Sequence, residues 1–287
     1  MSYAQDHIVE HLAEGIGWRE RPGWGAVLVC LHGIGSQARA FDALLPHLPA
    51  DLRVIAWEAP GYGPSAPLAN EWPLPADYAA ALARLVRRLD LPRFHLLGHS
   101  LGTLIGAAFA AAHPQRLISL TLASCAQGMG LARGEPLPAT AAARIADLER
   151  LGPVAFARER AARLVFRPQG NPAIVEAVRD GMAAVSLPGY AQAVRMLASG
   201  DLAGDCARLK VPTTVIVGAE DIVTPPAQSE RAFAALPATA RRRLLHVPGA
   251  GHALHQQAPA ALAAALALHP ETPADQSAQP ACAPMEE

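Results

Sequence analysis

Three short stretches of this chain carry the residue types of a nucleophile, a base and an acid. The first, Gly98-His99-Ser100-Leu101-Gly102, is a G-x-S-x-G pentapeptide. It lies between the apolar run Phe94-His95-Leu96-Leu97 and the Ala-rich helical run from Thr103 to Ala112. A strand feeding straight into a helix must turn sharply at Ser100, which holds the serine in strained backbone geometry and pushes its hydroxyl out of the sheet. The flanking glycines answer to the close passage of the strand and helix backbones. A serine hydroxyl is a poor nucleophile at neutral pH, so it needs a base, and the base needs an orienting acid. His252 is the candidate base. It ends Pro248-Gly249-Ala250-Gly251-His252, after the last apolar run and before the last helical one. Asp221, in Gly218-Ala219-Glu220-Asp221, is the candidate acid, with Glu220 as its competitor. The order serine, acid, histidine along the chain fits one of the known arrangements of such a triad. The loop around Ser124 offers no carboxylate. The bland alternatives are a serine that only caps a helix, a solvated turn carboxylate and a helix-capping histidine.

Acyl transfer also needs donors for a developing oxyanion. The backbone N–H of Leu101 follows the candidate nucleophile at a helix start, where N–H groups lack intrahelical partners. The second donor is expected from the loop after the first buried strand. His32-Gly33-Ile34-Gly35 occupies that loop. Ile34 N–H is the candidate donor, with His32 and Gly33 shaping the loop.

The elements that must position these groups are legible as alternating patterns. Continuous apolar runs at Ala26–Leu31, Leu52–Trp57, Phe94–Leu97, Leu117–Ala123, Val211–Val217 and Arg243–Val247 predict strands buried on both faces. Helical patterns separate them at Gln37–Leu48, Pro75–Leu89, Leu101–His113, Pro226–Leu236 and Ala253–His269. Strands alternating with helices predict βαβ units and a mainly parallel sheet. One or two edge strands are expected around Ile16 to Arg19. The stretch from Gln127 to about Gly204 carries no convincing strand. Helical patterns fill it at Ala139–Leu151, Pro153–Phe166, Pro172–Val185 and Gly189–Ala198, with Pro or Gly at each join. The expected division is therefore a core of residues 1–126 and 205–269, a helical insertion at 127–204, and a disordered tail at 270–287.

Composition excludes several classes. The 287 residues are 51% hydrophobic with a formal net charge of −1, enough for a large core and without a basic face for nucleic acid. No apolar run reaches the length of a membrane span, and the N-terminal residues lack a signal pattern. A soluble, cytoplasmic protein is expected. Cys30, Cys125, Cys206 and Cys282 are far apart, without zinc or disulfide spacing, and Cys30 and Cys125 are expected as buried thiols.

Over about residues 15–269 the chain resembles the α/β-hydrolase superfamily. Four motifs carry the resemblance, in order: His32-Gly33-Ile34-Gly35, Glu58-Ala59-Pro60-Gly61-Tyr62-Gly63-Pro64-Ser65, the elbow at Ser100, and Asp221 with His252. The second motif usually begins with aspartate, and Glu58 departs from it at a structural position. The resemblance implies an α/β-hydrolase fold: a mainly parallel central sheet, helices on both faces, and a helical cap at the strand-free stretch. It implies a serine hydrolase cleaving a carboxylic ester through an acyl-enzyme, similar to small bacterial esterases, enol-lactonases and hydrolases of acyl-carrier esters. Serine at the elbow argues against haloalkane dehalogenases and epoxide hydrolases, which place aspartate there. The alternative activity is C–C bond hydrolysis of aromatic ring-fission products. A non-catalytic binding protein of the same fold is a third reading. No metal or organic cofactor is implied. The expected partners are a small ester or lactone, or an acyl-carrier protein, and neither nucleic acid nor membrane. In the insertion, Leu148, Leu151, Val154, Phe156, Leu164, Val165, Phe166, Met182, Val185, Leu187, Met196 and Leu197 either line an acyl pocket or pack helices together. Arg144, Arg158, Arg160, Arg163 and Arg195 make it rich in arginine. They suit a substrate with a second carboxylate, an acidic carrier, or simply a solvated face.

Overall fold

Residues 8–266 and 268 are described in a computed structural model of the chain. The expected tail, Cys282 and the end of the last helical run lie outside these residues. Eight strands form one sheet: β1 (Val9–Ala13), β2 (Ile16–Arg21), β3 (Val27–Leu31), β4 (Arg53–Trp57), β5 (Phe94–His99), β6 (Leu117–Ala123), β7 (Thr213–Gly218) and β8 (Arg241–Val247). Their spatial order is β1-β2-β4-β3-β5-β6-β7-β8. From β4 to β8 all pairings are parallel, whereas β1–β2 and β2–β4 are antiparallel. The edge strands expected near Ile16 are this β1–β2 hairpin. Its two-residue turn, Glu14-Gly15, has φ of 50° and 74°, the backbone that matches the twist of a hairpin.

The continuous apolar runs of β3 to β7 are explained by burial on both faces. The run Arg243–Val247, expected to be buried likewise, belongs instead to the edge strand β8, which has no fully buried residue because no described strand pairs with its outer side. Successive residues of β3 serve opposite layers: Leu28 and Cys30 join one core cluster, Val29 and Leu31 the other. Helices α1 (Pro75–Arg88) and α2 (Leu101–Ala112) cover one face through Tyr78, Leu82, Leu104 and Phe109. The other face is covered by a 3-10 segment, Ala38–His47, and by α8 (Leu254–Gln257) and α9 (Pro259–Ala265), through Phe41, Leu44, Leu254 and Leu262. Between β7 and β8 runs α7 (Pro226–Ala235). Two expectations are corrected here. The run Gln37–Leu48 is 3-10 rather than α-helical and contains Pro46, which has no N–H to donate. The run beginning at Ala253 is broken at Ala258, whose φ of −136° and ψ of 55° lie outside the helix. A residue before proline is pushed out of the α region, and Pro259 follows.

Between β6 and β7 lie α3 (Ala139–Arg160), α4 (Pro172–Ala183), α5 (Leu187–Ser199) and α6 (Leu202–Cys206). No strand interrupts them among the described residues, apart from a single antiparallel bridge, Gly128–Asp201. That bridge pairs the segments entering and leaving the insertion, with Leu202 N–H donating to Gln127 O at 3.0 Å. The helices expected at Ala139–Leu151 and Pro153–Phe166 are present as two halves of α3, but the second ends at Arg160 and gives way to a 3-10 turn, Ala161–Leu164, and an extended Val165. Gly152, before Pro153, takes φ 69° and ψ 163° at the kink. The α5 helix docks on the loop after β4. The Gly61 and Gly189 backbones approach so closely that a Cβ on Gly189 would stand 1.9 Å from Gly61 O. Gln192, nearly buried, accepts from Leu68 N–H and donates to the carbonyls of Leu68 and Asn70. No described helix is long and apolar enough to cross a membrane.

Candidate active site

Ser100 caps α2 directly after β5, with φ 52° and ψ −115°. Positive φ is strained for any residue with a Cβ. The turn is this tight because strand and helix touch: a Cβ on Gly98 would lie 2.3 Å from Gly102 O, and one on Gly102 would lie 2.3 Å from Leu31 O. Ser100 N–H is satisfied by Ala123 O on the neighbouring strand, at 2.9 Å.

The loop after β8 brings His252 to this serine across the ends of β6 and β7. His252 Nε2 lies 3.0 Å from Ser100 Oγ, and His252 Nδ1 lies 2.9 Å from Asp221 Oδ2. All three residues are buried. Asp221 Oδ1 accepts from the N–H groups of Val223 and Thr224, each at 2.9 Å. Its Oδ2 accepts from the Thr224 hydroxyl at 2.9 Å as well as from His252. Burial works to raise the Asp221 pKa, but the bonds from His252 and Thr224 outweigh it and hold the carboxyl below its ordinary value. The Asp221 carboxyl is therefore ionised, accepts from His252 Nδ1–H and leaves the Nε2 lone pair facing Ser100 Oγ. Glu220, the competitor, does other work: its Oε2 accepts from Ala250 N–H at 3.2 Å, bracing the loop that carries His252.

Thr224 is a site residue that the sequence reading missed. Its hydroxyl is 2.9 Å from Asp221 Oδ2, 3.1 Å from Ser124 O and 3.1 Å from His252 Nδ1. The signal was a threonine three residues past a candidate acid, which is too common a pattern to single out. His99 is a second omission. Its Nε2–H donates to His252 O at 2.8 Å, so it supports the backbone of the candidate base. Burial, followed by the neighbouring His252, pushes the His99 pKa down to about 3, so its ring is neutral.

Neither Ile34 N–H nor Leu101 N–H donates to a protein acceptor among the described residues. The Ile34 loop stands over Ser100: a Cβ on the adjacent Gly33 would lie 3.0 Å from Ser100 Cβ. His32 holds that loop. Its Nδ1–H donates to Gly33 O at 2.8 Å and its Nε2 accepts from Ala59 N–H at 3.0 Å. Burial lowers the His32 pKa to about 4, consistent with a neutral ring fixed in one tautomer. Glu58 lies behind it. Its Oε1 accepts from Ala38 N–H, while its buried Oε2 has no hydrogen-bond partner and stands 3.7 Å from His32 Nε2. No group of three or more His, Cys, Asp or Glu among the described residues is placed to hold a metal ion.

Residues 26–259 match the family described as the alpha/beta hydrolase fold. The chain belongs to the alpha/beta hydrolase family. One relative is the dihydrolipoyllysine-residue acetyltransferase component of the acetoin cleaving system of Pseudomonas putida, 30% identical over 84% of this chain and 62% of that protein. This chain thus spans less than two thirds of that relative's length. Another is a pimeloyl-[acyl-carrier protein] methyl ester esterase of Neisseria meningitidis, 29% identical over 70% of this chain and 77% of the esterase. Among solved structures, a hydrolase from Pseudomonas aeruginosa PA01 superimposes with a TM-score of 0.76 at 26% identity, covering 91% of this chain and 97% of that one. The enol-lactonase from Burkholderia xenovorans LB400 shares the fold, with a TM-score of 0.77 at 22% identity over 89% and 97% of the two chains. The chain is accordingly a member of a hydrolase family with esterase relatives, built on the expected mostly parallel sheet.

In this alpha/beta hydrolase a cavity of 280 Å³ opens on Ser100 and His252. Of the apolar insertion residues, it is lined by Phe156, Leu164, Met182 and Leu197. Leu148, Val165, Val185 and Met196 are buried in core packing instead, and Val154 is exposed. Of the five arginines, Arg144, Arg160 and Arg163 line the cavity, whereas Arg158 and Arg195 do not. A second cavity, 660 Å³, shares Ile34, Gly35, Leu164 and His252 with the first and is lined by His99 and His255 but not by Ser100.

Proposed function

We propose that this protein hydrolyses a carboxylic ester through an acyl-enzyme on Ser100. The observation that carries the reading is the continuous relay from Ser100 Oγ through His252 to Asp221, at 3.0 and 2.9 Å, on a serine held at positive φ. His252 Nε2 takes the hydroxyl proton as Ser100 Oγ bonds to the ester carbonyl carbon. Asp221 holds the ring in the Nδ1–H tautomer and stabilises the imidazolium that forms. The Ile34 and Leu101 N–H groups, lacking protein acceptors, receive the oxyanion. The tetrahedral intermediate collapses, the alkoxide leaves with the proton from His252, and an acyl-serine remains. Water then gives its proton to His252 and attacks the acyl carbon, and the proton returns to Ser100 as the acid departs. In the same reading, residues 127–204 form a cap over the site, supported by the contributions of α3, α4 and α5 to the cavity around Ser100. The ester-cleaving N. meningitidis relative also supports ester chemistry.

The test is turnover of short p-nitrophenyl esters by wild type and Ser100→Ala, with mass spectrometry of the enzyme during turnover. Wild type should show a transient acyl adduct on the peptide carrying Ser100. Loss of the nucleophile should reduce kcat by roughly a thousandfold or more. Near-full activity in Ser100→Ala would refute the assignment. Activity confined to vinylogous diketone acids would favour C–C hydrolysis, and stoichiometric fluorophosphonate labelling without turnover on any substrate would indicate a binding protein.

A further inference from the structure

The cavity that opens on Ser100 has a one-sided charge. Arg144, Arg160 and Arg163 line it, and no Asp or Glu does. Arg160 is set in place. Its Nη2 donates to Asp147 Oδ2 at 2.6 Å, and its guanidinium lies 4.5 Å from the Phe156 ring centroid. Yet its Nε is buried and has no acceptor among the described residues. Asp147 is itself shared, since it also accepts from Arg150. Arg144 is half-buried, and neither it nor Arg163 has an ion pair or hydrogen bond among the described residues. Arg160 is compensated by Asp147 and Arg163 is exposed, but Arg144 is a partly buried cation without a paired anion among the described residues, which is costly. A guanidinium is a planar set of donors that complements a carboxylate, and Asp147 engages only Nη2 of Arg160.

Resting on the ester-hydrolase reading, we infer that the substrate is a small ester carrying a second anionic group, a carboxylate, which is held by Arg144, Arg160 and Arg163. Size supports a small molecule: at 280 Å³ the cavity lies just below the roughly 300–1,000 Å³ usual for ligand pockets. Position supports it too. Arg144 and Arg160 are partly buried and Arg163 is exposed, but all three line the cavity that holds the candidate nucleophile, whereas the likewise exposed Arg158 does not. The carboxylate anchors one end of the substrate and leaves the ester carbonyl at Ser100, so binding energy remote from the reacting bond orients it.

The experiment compares matched pairs of substrates: monomethyl adipate against methyl hexanoate for an anion on the acyl side, and 4-(butyryloxy)benzoate against phenyl butyrate for an anion on the alcohol side. The quantity read is the ratio of kcat/KM, anionic over neutral. Wild type should favour the anionic member of at least one pair by roughly ten- to a hundredfold, the size of a charge-assisted hydrogen bond. Arg144→Gln and Arg160→Gln should collapse that ratio toward one, mainly through KM, whereas Arg158→Gln should leave it as in wild type. Added salt should lower the ratio as well. A wild-type ratio near one in both pairs would overturn the inference while leaving the ester-hydrolase reading intact, because the neutral esters are still cleaved. The same holds for arginine variants that keep the wild-type ratio, and for discrimination that arises only when the acyl group is attached to a carrier protein. If no ester is cleaved, protection of Ser100 from fluorophosphonate labelling by adipate still tests the anion site. Protection lost in Arg144→Gln supports it, and no protection in wild type overturns it.

Discussion

Glu58→Gln should stabilise the protein in a pH-dependent way. Glu58 is buried behind the His32 loop, with Ala38 N–H on one carboxyl oxygen and no hydrogen-bond partner on the other. Burial, only partly offset by that bond and by distant arginines, raises its pKa from 4.5 to about 7. The sign follows from linkage. A carboxyl with a raised folded-state pKa binds more protons folded than unfolded, so its contribution is fully present below pH 4.5 and is lost as pH rises through 7. The gap between the two values amounts to about 3 kcal/mol, as an order of magnitude. Glutamine keeps the acceptor for Ala38 and places its NH2 group where the protonated acid has its O–H, but it never ionises. The two proteins should therefore have nearly equal stability at pH 4.5, and the variant should gain about 3 kcal/mol by pH 8. That corresponds to a higher unfolding midpoint by roughly 5 °C for a chain of this size. Urea unfolding of both proteins across this pH range measures the difference directly. A stability difference that stays flat from pH 4.5 to 8 would refute the reasoning, because it would mean that Glu58 does not change its protonation on folding.

Two further substitutions test the site. Thr224→Val removes a hydroxyl that contacts both Asp221 and His252; kcat on a p-nitrophenyl ester should fall roughly tenfold with little change in KM, as expected for the loss of one bond to a charged group. Because the lowered Asp221 pKa stabilises the fold above its unfolded value and is lost as pH falls through the folded one, acid unfolding of this variant, followed by fluorescence, should occur at higher pH than in wild type. Gly98→Ala places a Cβ 2.3 Å from the Gly102 carbonyl oxygen; overpacking of this kind should cost roughly 1–3 kcal/mol in denaturant unfolding and slow fluorophosphonate labelling at Ser100. Wild-type behaviour in either assay would show that the turn tolerates a wider separation of strand and helix.

Much of this was legible because the local patterns have strong physical causes. Strands β3 to β7 announce themselves as continuous apolar runs because both their faces are buried, and the elbow does so because only glycine fits where β5 and α2 touch. The Ala253 run reads as one helix because propensity does not weigh the restriction that Pro259 places on Ala258. Leu148 and Met196 have the same apolar character as Phe156 and Met182, yet only the latter two reach the cavity. Periodicity reports burial, and burial in a core and at a pocket wall look alike.

By itself, the sequence determined the chemistry available and the order of its parts: a serine at a forced turn, a carboxylate past one strand, a histidine past the next. Those features are local, since each depends on neighbours within a few residues. Tertiary structure alone decided the pairings. Asp221 rather than Glu220 meets His252 because the loop after β7 turns one carboxylate toward the ring and the other toward Ala250 N–H. Thr224 joins the relay because its hydroxyl falls between Asp221 and Ser124. Arg144, Arg160 and Arg163, but not Arg158, line the cavity that holds Ser100, a choice made by how the helices of the insertion pack and not by residue type. Direction in space over such separations is set by packing, which no short stretch of chain encodes.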